Sequence, residues 1–376
     1  MAGIYIHIPF CKTRCIYCDF FSCTLEKDIS PLISGIIKEI DLKKDYVGEE
    51  VIETIYFGGG TPSFISTLFI QQILDEIQKQ FKISTSAEIT IEVNPDDISE
   101  KKAIELFAMG INRISMGVQS FEDKILRFLG RRHNAKQAIS AFEILKNTGF
   151  KNISLDLIYG IPGLSLKDWK NTLEQIVILA PQHISAYHLT IEKGTSLHKL
   201  LIDNKINTIP DQDSVQQYIM LSETLKNHRY FHYEISNFAK PRFESKHNSG
   251  YWFGKKYIGL GPSAHSFDGN TRQWNLADIH KYIERVHTRC FYFKKEALTK
   301  KKRYNEFLMT RLRTLQGIQI TELETQFGKD YLQLFSEGIK KQELYNNIIQ
   351  ISSGNYIIPE NKWFISDSII SDLFKV

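Results

Sequence analysis

The sequence lacks long apolar runs, a strong bias of charge and the cysteine density of a disulfide scaffold. No stretch of about 18 or more apolar residues occurs, so no helix is expected to span a membrane. Residues 1–10 carry neither a basic segment nor a long apolar core, so no secretory signal is expected and a cytoplasmic location is. Five cysteines in 376 residues do not make the framework of a small secreted domain, which points to a reducing compartment. With 47 Lys and Arg against 43 Asp and Glu, the net charge of +4 is too weak to imply nucleic acid as a partner. No internal repeat or low-complexity segment stands out. Apolar residues at 42% and charged residues at 24% are ordinary for globular chains and exclude a disordered or collagen-like one. At about 150 residues per domain, two or three domains are expected.

Aromatic side chains are plentiful, with 17 Tyr, 24 Phe and 4 Trp, so a flat apolar ligand would find partners. Up to about residue 190, short β-rich runs alternate with longer helical patterns. The runs are Ile4–Ile8, Val51–Phe57, Glu88–Val93, Arg113–Val118, Ile153–Tyr159 and His183–Leu189. Leu68, Phe69, Ile73, Leu74 and Ile77 form one helical stripe; Ala138, Ile139, Phe142 and Leu145 form another, stopped by Gly149. Ser165 and Asp168 make a capping box ahead of Trp169, Leu173, Ile176 and Val177. Alternation of this kind gives a parallel sheet with right-handed crossovers. Six repeats suit a barrel or partial barrel, although a doubly wound sheet would read much the same.

The placement of unusual residues favours the barrel, whose chemistry sits on loops leaving the C-terminal strand ends. Cysteines follow the first run and Gly58-Gly59-Gly60-Thr61-Pro62 the second. Glu92 and Asn94 close the third, Gln119 and Ser120 the fourth, and Asp156 with Gly160 marks the fifth. The expected fold is therefore α/β, a partial (β/α)6 barrel over residues 1–210. A connecting region over 211–295 follows, rich in aromatics and histidine. A smaller C-terminal helical, winged-helix-like domain is expected over 296–376, with helices about Phe307–Leu315 and Tyr331–Ile339 and a hairpin at Ser353-Gly354-Asn355.

Cys11, Cys15, Cys18 and Cys23 fall within thirteen residues, and Cys290 stands apart. The spacing Cys11-x-x-x-Cys15-x-x-Cys18 puts three soft thiolates on one short loop, which suits an iron–sulfur cluster or zinc. A structural zinc site wants four closed ligands, commonly as two separated pairs, and no second Cys-x-x-Cys exists. Cys23 or His7 would complete a zinc site only in a cramped geometry. Three thiolates without an obvious fourth suit a 4Fe–4S cube with one iron left for another ligand. The cube is the preferred reading and zinc the alternative.

This loop, with Tyr17 before its last cysteine and the Gly-Gly-Gly-Thr-Pro loop after the second strand, resembles a radical S-adenosylmethionine (SAM) protein. Tyr5-Ile6-His7-Ile8-Pro9-Phe10-Cys11, Ile91-Glu92-Val93-Asn94-Pro95, Gly117-Val118-Gln119-Ser120-Phe121 and Asp156-Leu157-Ile158-Tyr159-Gly160 narrow the resemblance. Together they are similar to the oxygen-independent coproporphyrinogen III oxidase family over most of the chain. The resemblance implies that Cys11, Cys15 and Cys18 hold three irons while SAM chelates the fourth. It places Gly59, Gly60 and Thr61 against the methionine moiety, where glycine permits close backbone approach, and Tyr17 near the adenine. Glu92, Gln119 and Asp156 would bond ribose hydroxyls or the amino group, Arg131 would pair the carboxylate, and Tyr5 matches a further SAM contact. Each residue also has a bland reading: the glycines a turn, Arg131 a solvated helix-end charge, Asp156 a buried hydrogen-bond partner.

Two functions compete within the family. The dehydrogenating enzyme carries a further cysteine two places beyond the third, where this chain has Phe20, and an N-terminal extension, whereas here Cys11 comes almost at once. Both departures point away from coproporphyrinogen decarboxylation. His247-Asn248-Ser249-Gly250-Tyr251-Trp252 resembles the signature of the haem-chaperone branch. That resemblance implies haem as a third cofactor, ligated by neutral His247 and covered by aromatics, with haem-requiring respiratory proteins as recipients. The bland reading is a packed polar histidine; His265 is a candidate second ligand. Oxygen-independent coproporphyrinogen III dehydrogenase is the alternative function, and a zinc-stabilised binding module a third. The basic run Lys294, Lys295, Lys300, Lys301, Lys302 and Arg303 is either a solvated connector or a peripheral contact for anionic lipid or an acidic partner. No base-reading motif accompanies the C-terminal helices, so no nucleic acid is expected.

Overall fold

The six β-rich runs become six parallel strands in the computed structural model, which describes residues 2–288 and 293–375. They are β1 (Ala2–Ile8), β2 (Ile52–Gly59), β3 (Ile83–Val93), β4 (Arg113–Gln119), β5 (Ile153–Tyr159) and β6 (His183–His188). Helices α1 (Ile29–Leu42), α2 (Thr67–Gln80), α3 (Glu100–Ala108), α4 (Asp123–Phe128), α5 (Ala135–Thr148) and α6 (Leu166–Leu179) make the crossovers. Neighbours in the sheet follow chain order from β1 to β6, without the reversal of a doubly wound sheet. β3 begins ahead of the apolar run, because residues 83–86 are polar or half-exposed and carry no apolar alternation.

Local signals place the helices. Ser66 accepts the Leu68 amide at the start of α2, and Ile70, Ile73, Leu74 and Ile77 face the sheet. Leu68, expected on that stripe, is 73% exposed because it sits in the first turn, off the buried face. Reciprocal capping boxes start α5 (Asn134 with Gln137) and α6 (Ser165 with Asp168). Gly149 ends α5 at φ 114°, a conformation open to glycine.

Past β6, α7 (Ser196–Ile202) and α8 (Asp211–Asn227) precede β7 (Phe231–Glu234) and β8 (Asn237–Ala239); β8 pairs antiparallel with β6, and β7 antiparallel with β8 outside it. After α9 (Lys246–Trp252) the chain crosses to the opposite edge, where β9 (Lys256–Leu260) pairs parallel with β1. β10 (His265–Phe267), β11 (Thr271–Asn275) and, after α10 (Ile279–His287), β12 (Phe293–Ala297) extend that edge antiparallel. The segment after residue 210 thus widens both edges, giving an open twelve-stranded sheet. Cys290 lies outside the described residues.

Helices α11 (Lys300–Arg311), α12 (Ile320–Phe327) and α13 (Lys329–Glu343) then precede the hairpin of β13 (Ile349–Gln350) and β14 (Tyr356–Ile357), followed by α14 (Ser366–Ser371). This is the expected order of helices followed by a hairpin. Buried Trp363 anchors the end, its indole donating to the Ile358 carbonyl at 2.8 Å. Among the described residues no helix is long and apolar enough to cross a membrane.

A buried ion pair fastens the widened edge. Glu39 (0% exposed) on α1 meets Lys43 (4%) at 2.8 Å, accepts from Asn275 on β11 at 2.7 Å and from the Tyr282 hydroxyl on α10, while Lys43 donates to the Gly259 carbonyl on β9 at 2.8 Å. Removing one partner of a buried pair costs about 3–5 kcal/mol. Glu39→Ala should therefore destabilise the chain by about that amount in urea denaturation; a loss under about 1 kcal/mol would show the network to be dispensable.

Candidate functional site

The cysteine loop is closed at its base by backbone bonds. Cys23 N donates to the Pro9 carbonyl at 2.7 Å and Cys11 N to the Cys23 carbonyl at 2.9 Å. The glycine loop is seated beside it: Gly60 N reaches the Ile8 carbonyl at 2.9 Å and Thr61 N the Phe10 carbonyl at 2.8 Å. A Cβ on Gly60 would lie 2.8 Å from the Phe10 oxygen, and one on Gly59 (φ 112°) 2.8 Å from the His7 ring. The glycines are thus demanded by their contact with β1. Cys23, a residue without a role in the sequence reading, supplies this closure through its backbone.

The loop roofs a cavity of about 430 Å³ at the C-terminal ends of β1–β6. Cys11, Cys15, Cys18 and Tyr17 line one side and Gly59, Gly60 and Thr61 another. Glu92, Gln119, Arg131 and Asp156 complete it. All the sequence-predicted residues except Tyr5 and His247 therefore meet here. Gln119 has φ 70° at a register break in β4, a backbone turn at the mouth of the cavity. Arg131, far from being a solvated helix-end charge, donates to Asn94 Oδ1 and the Gly117 carbonyl at 2.6 Å each. Its other arm points at Cys15 Sγ, 3.4 Å away, and its Nε has no protein partner.

Burial governs the charges. It pushes the Cys11 and Cys18 thiols above their ordinary range, against which the Thr61 hydroxyl (at 3.5 Å) favours the Cys11 thiolate. Burial raises Glu92 to about 7, opposed by donation from the Tyr56 hydroxyl at 2.9 Å and Gly59 N at 3.2 Å. Asp156 is raised for the same reason and accepts from Ser115 at 3.1 Å. Three thiols, a guanidinium and two carboxylates around one cavity suit a thiolate-held cluster with a polar, amine-bearing ligand. Among the described residues no three His, Cys, Asp or Glu side chains converge as one metal ion would require. A cube asks for no such convergence, because each thiolate meets a different iron. His7, weighed above as an extra ligand, is turned away; its Nε2 bonds the Phe21 carbonyl at 2.9 Å.

Tyr5 and His247 lie one layer deeper in the barrel. The Tyr5 hydroxyl meets His7 Nδ1 at 3.2 Å and its ring stacks on Tyr56. Glu88 caps the start of α9, accepting from the amides of Lys246 and His247. His247 stacks on Tyr56 (ring centroids 4.9 Å apart), with Nδ1 on the Thr54 hydroxyl at 2.8 Å and Nε2 on the Tyr251 hydroxyl at 2.9 Å. Burial lowers its pKa to about 3, so the ring is neutral. His265 is exposed at the start of β10, stacked on Trp274, away from both His247 and the cavity.

Sequence reasoning missed several cavity residues. Arg113 is 1% exposed although it opens a strand, and it lines the cavity with Tyr56 and Ser185. Asn248 lines it too, from the motif that contains His247.

A partial barrel with three thiols over its open end and glycines beside them defines a radical SAM protein. Residues 5–176 match the Radical SAM superfamily and residues 298–355 the HemN C-terminal domain. The fold is that of the coproporphyrinogen III oxidase HemN from Escherichia coli, at a TM-score of 0.85 and 20% identity, covering 100% of this chain and 90% of that one. Nearer in sequence is the protein named heme chaperone HemW in Bacillus subtilis (strain 168), 32% identical over 96% of both chains. Its namesake in Buchnera aphidicola subsp. Schizaphis graminum is 36% identical over 92% of both. The chain belongs to this HemW family.

The raised Glu92 carboxyl makes a pH prediction. Its charged form is disfavoured in the fold, so stability is lost as pH rises from the ordinary value of 4.5 through about 7, and no further loss follows above. Glu92→Gln lacks this loss. Its urea midpoint should gain on the wild type between about pH 4.5 and pH 7.5, whereas a difference constant across that window would contradict the assignment.

Proposed function

We propose that this protein is a cytoplasmic haem chaperone that holds a 4Fe–4S cluster and SAM and hands haem to haem-requiring respiratory proteins. The observation that carries the reading is the near full-length similarity, at 32–36% identity, to proteins named heme chaperone HemW. The likeness to coproporphyrinogen III oxidase is one of fold. Phe20, standing where that enzyme carries its further cysteine, is 65% exposed at the rim of the cavity.

In this reading Cys11, Cys15 and Cys18 ligate three irons. When bound, the cluster supplies a Lewis-acidic iron able to chelate the amino and carboxylate groups of SAM. Arg131, fixed by Asn94 and Gly117, pairs the carboxylate and offsets thiolate charge at Cys15. The Gly59–Thr61 backbone borders the methionine moiety, Tyr17 the adenine, and Glu92, Gln119 and Asp156 accept from ribose hydroxyls or the amino group. Tyr5 acts from behind, through His7. His247, neutral through burial, offers Nε2 to haem iron once the Tyr251 hydroxyl withdraws. The basic run from Lys294 to Arg303 would give a peripheral contact with anionic lipid or an acidic partner through its exposed lysines, Lys294, Lys295, Lys300, Lys301 and Lys302, while Arg303 at its end lines the cavity beside the C-terminal domain.

The test is coproporphyrinogen III turnover beside a haemin titration on one anaerobically reconstituted preparation. Expected are iron and acid-labile sulfide lost on Cys15→Ser, no turnover above that variant, and haemin binding weakened at least about tenfold by His247→Ala, on the order of 1.4 kcal/mol. Turnover by the wild type alone would replace the chaperone reading with the dehydrogenase one. Undiminished haemin binding by His247→Ala would remove that residue from the site.

A further inference from the structure

The helix α9 divides its residues between two cavities. Asn248 faces the barrel cavity, while Tyr251 and Trp252 line a second one, of about 480 Å³, between the widened sheet edge and the C-terminal domain. That volume lies in the usual range for small-molecule sites. Its walls are aromatic and cationic. Trp252, Phe253, Tyr257 and Phe267 are only half-buried, and α11 and α12 contribute Phe307 and Phe327. Half-exposed aromatics gathered on one concavity are the pattern of a ligand surface. Lys255, Arg272, Arg303 and Arg311 line it against one acid, Glu306.

The cations differ in how far they are already engaged. Arg272 is held by both oxygens of Glu306 at 2.9 Å, and Lys255 meets Glu53 at 2.9 Å. Arg311 pairs with Glu322 and lies over the Phe253 ring at 4.6 Å, forming part of the wall. Arg303 makes a single 3.4 Å contact with Asn270, and its Nε is buried without a partner. The indole N–H of Trp252 is buried and unpartnered as well. Arg303 is thus the least engaged cation of the cavity wall, and its guanidinium is the group left to meet an arriving carboxylate.

Tyr251 is the partition between this cavity and His247. Its ring meets Tyr257 edge-on at 4.7 Å and its hydroxyl bonds His247 Nε2. We infer that the second cavity is the binding pocket for a planar tetrapyrrole carboxylate, whose ring lies against the aromatic walls, Trp252 among them, and whose carboxylates meet Arg303, with Tyr251 closing off His247 until the ligand is seated. The inference rests on the haem reading and deepens it, by placing most of the recognition in the ring and its carboxylates.

Full-length protein titrated with haemin and with iron-free protoporphyrin IX, followed by Soret absorbance and tryptophan quenching, tests it. Thr310→Trp fills the cavity from α11 and Arg303→Glu reverses the carboxylate contact; each should weaken both porphyrins at least about tenfold, while Trp252→Phe, which keeps an aromatic wall of smaller area, weakens them about threefold. His247→Ala should affect haemin and leave protoporphyrin IX unchanged. Wild-type affinity for both porphyrins in Thr310→Trp and Arg303→Glu, with unchanged melting curves, overturns the pocket. Haemin binding without protoporphyrin binding overturns it too and leaves the His247 reading standing. If the wild type binds neither, both readings fall.

Discussion

The backbone clasp at the end of β1 is the constraint on which the site depends. It joins Pro9 and Cys11 to Cys23 and Ile8 and Phe10 to the glycine loop, so the roof and one wall of the barrel cavity are built from the same few hydrogen bonds. Because Gly60 lies against the Pro9–Phe10 backbone and Gly59 against His7, side chains there would push the two loops apart. The Phe21 carbonyl on His7 adds a third tie between loop and strand. Thiol placement is therefore set by main-chain geometry more than by the thiols themselves.

A second dependence runs through the barrel interior. Glu88 caps α9, α9 presents His247, His247 stacks on Tyr56, and Tyr56 donates to Glu92 at the cavity. Buried polar groups are costly unless paired, and this column pairs nearly all of its members. Gly3 leaves the room that His247 occupies, since a Cβ there would meet the Thr54 hydroxyl at 2.7 Å and the imidazole at 3.3 Å. One short helix thus touches the barrel cavity, the barrel floor and the aromatic cavity together.

Much of this was legible in the sequence. Alternating β-branched runs located the six strands β1–β6, and glycine and cysteine spacing located the pole at which these residues collect. Capping residues such as Ser165 and Asp168 marked helix starts because their bonds are local. What could not be read is what depends on distant contacts. The parallel pairing of β9 with β1 spans most of the chain. Arg113 reads as a strand-end charge until Glu88, Asp156 and Tyr233 surround it. Arg131, assigned to the site by resemblance, keeps its bland reading as a helix-end charge until Asn94 and the Gly117 carbonyl are brought to it. The second cavity escaped notice because its walls come from segments between residues 251 and 327 that share no local pattern.

The haem chaperone proposed here would carry haem in order to release it to another protein. The direct measurement mixes the haem-loaded wild-type chain with a haem-free respiratory haemoprotein and follows the recipient's Soret band in the presence of an excess of a free-haem scavenger. A chaperone transfers haem to the recipient despite the scavenger, with the donor spectrum decaying in step. Haem captured wholly by the scavenger, or retained by the chain, would contradict the proposed chaperone role.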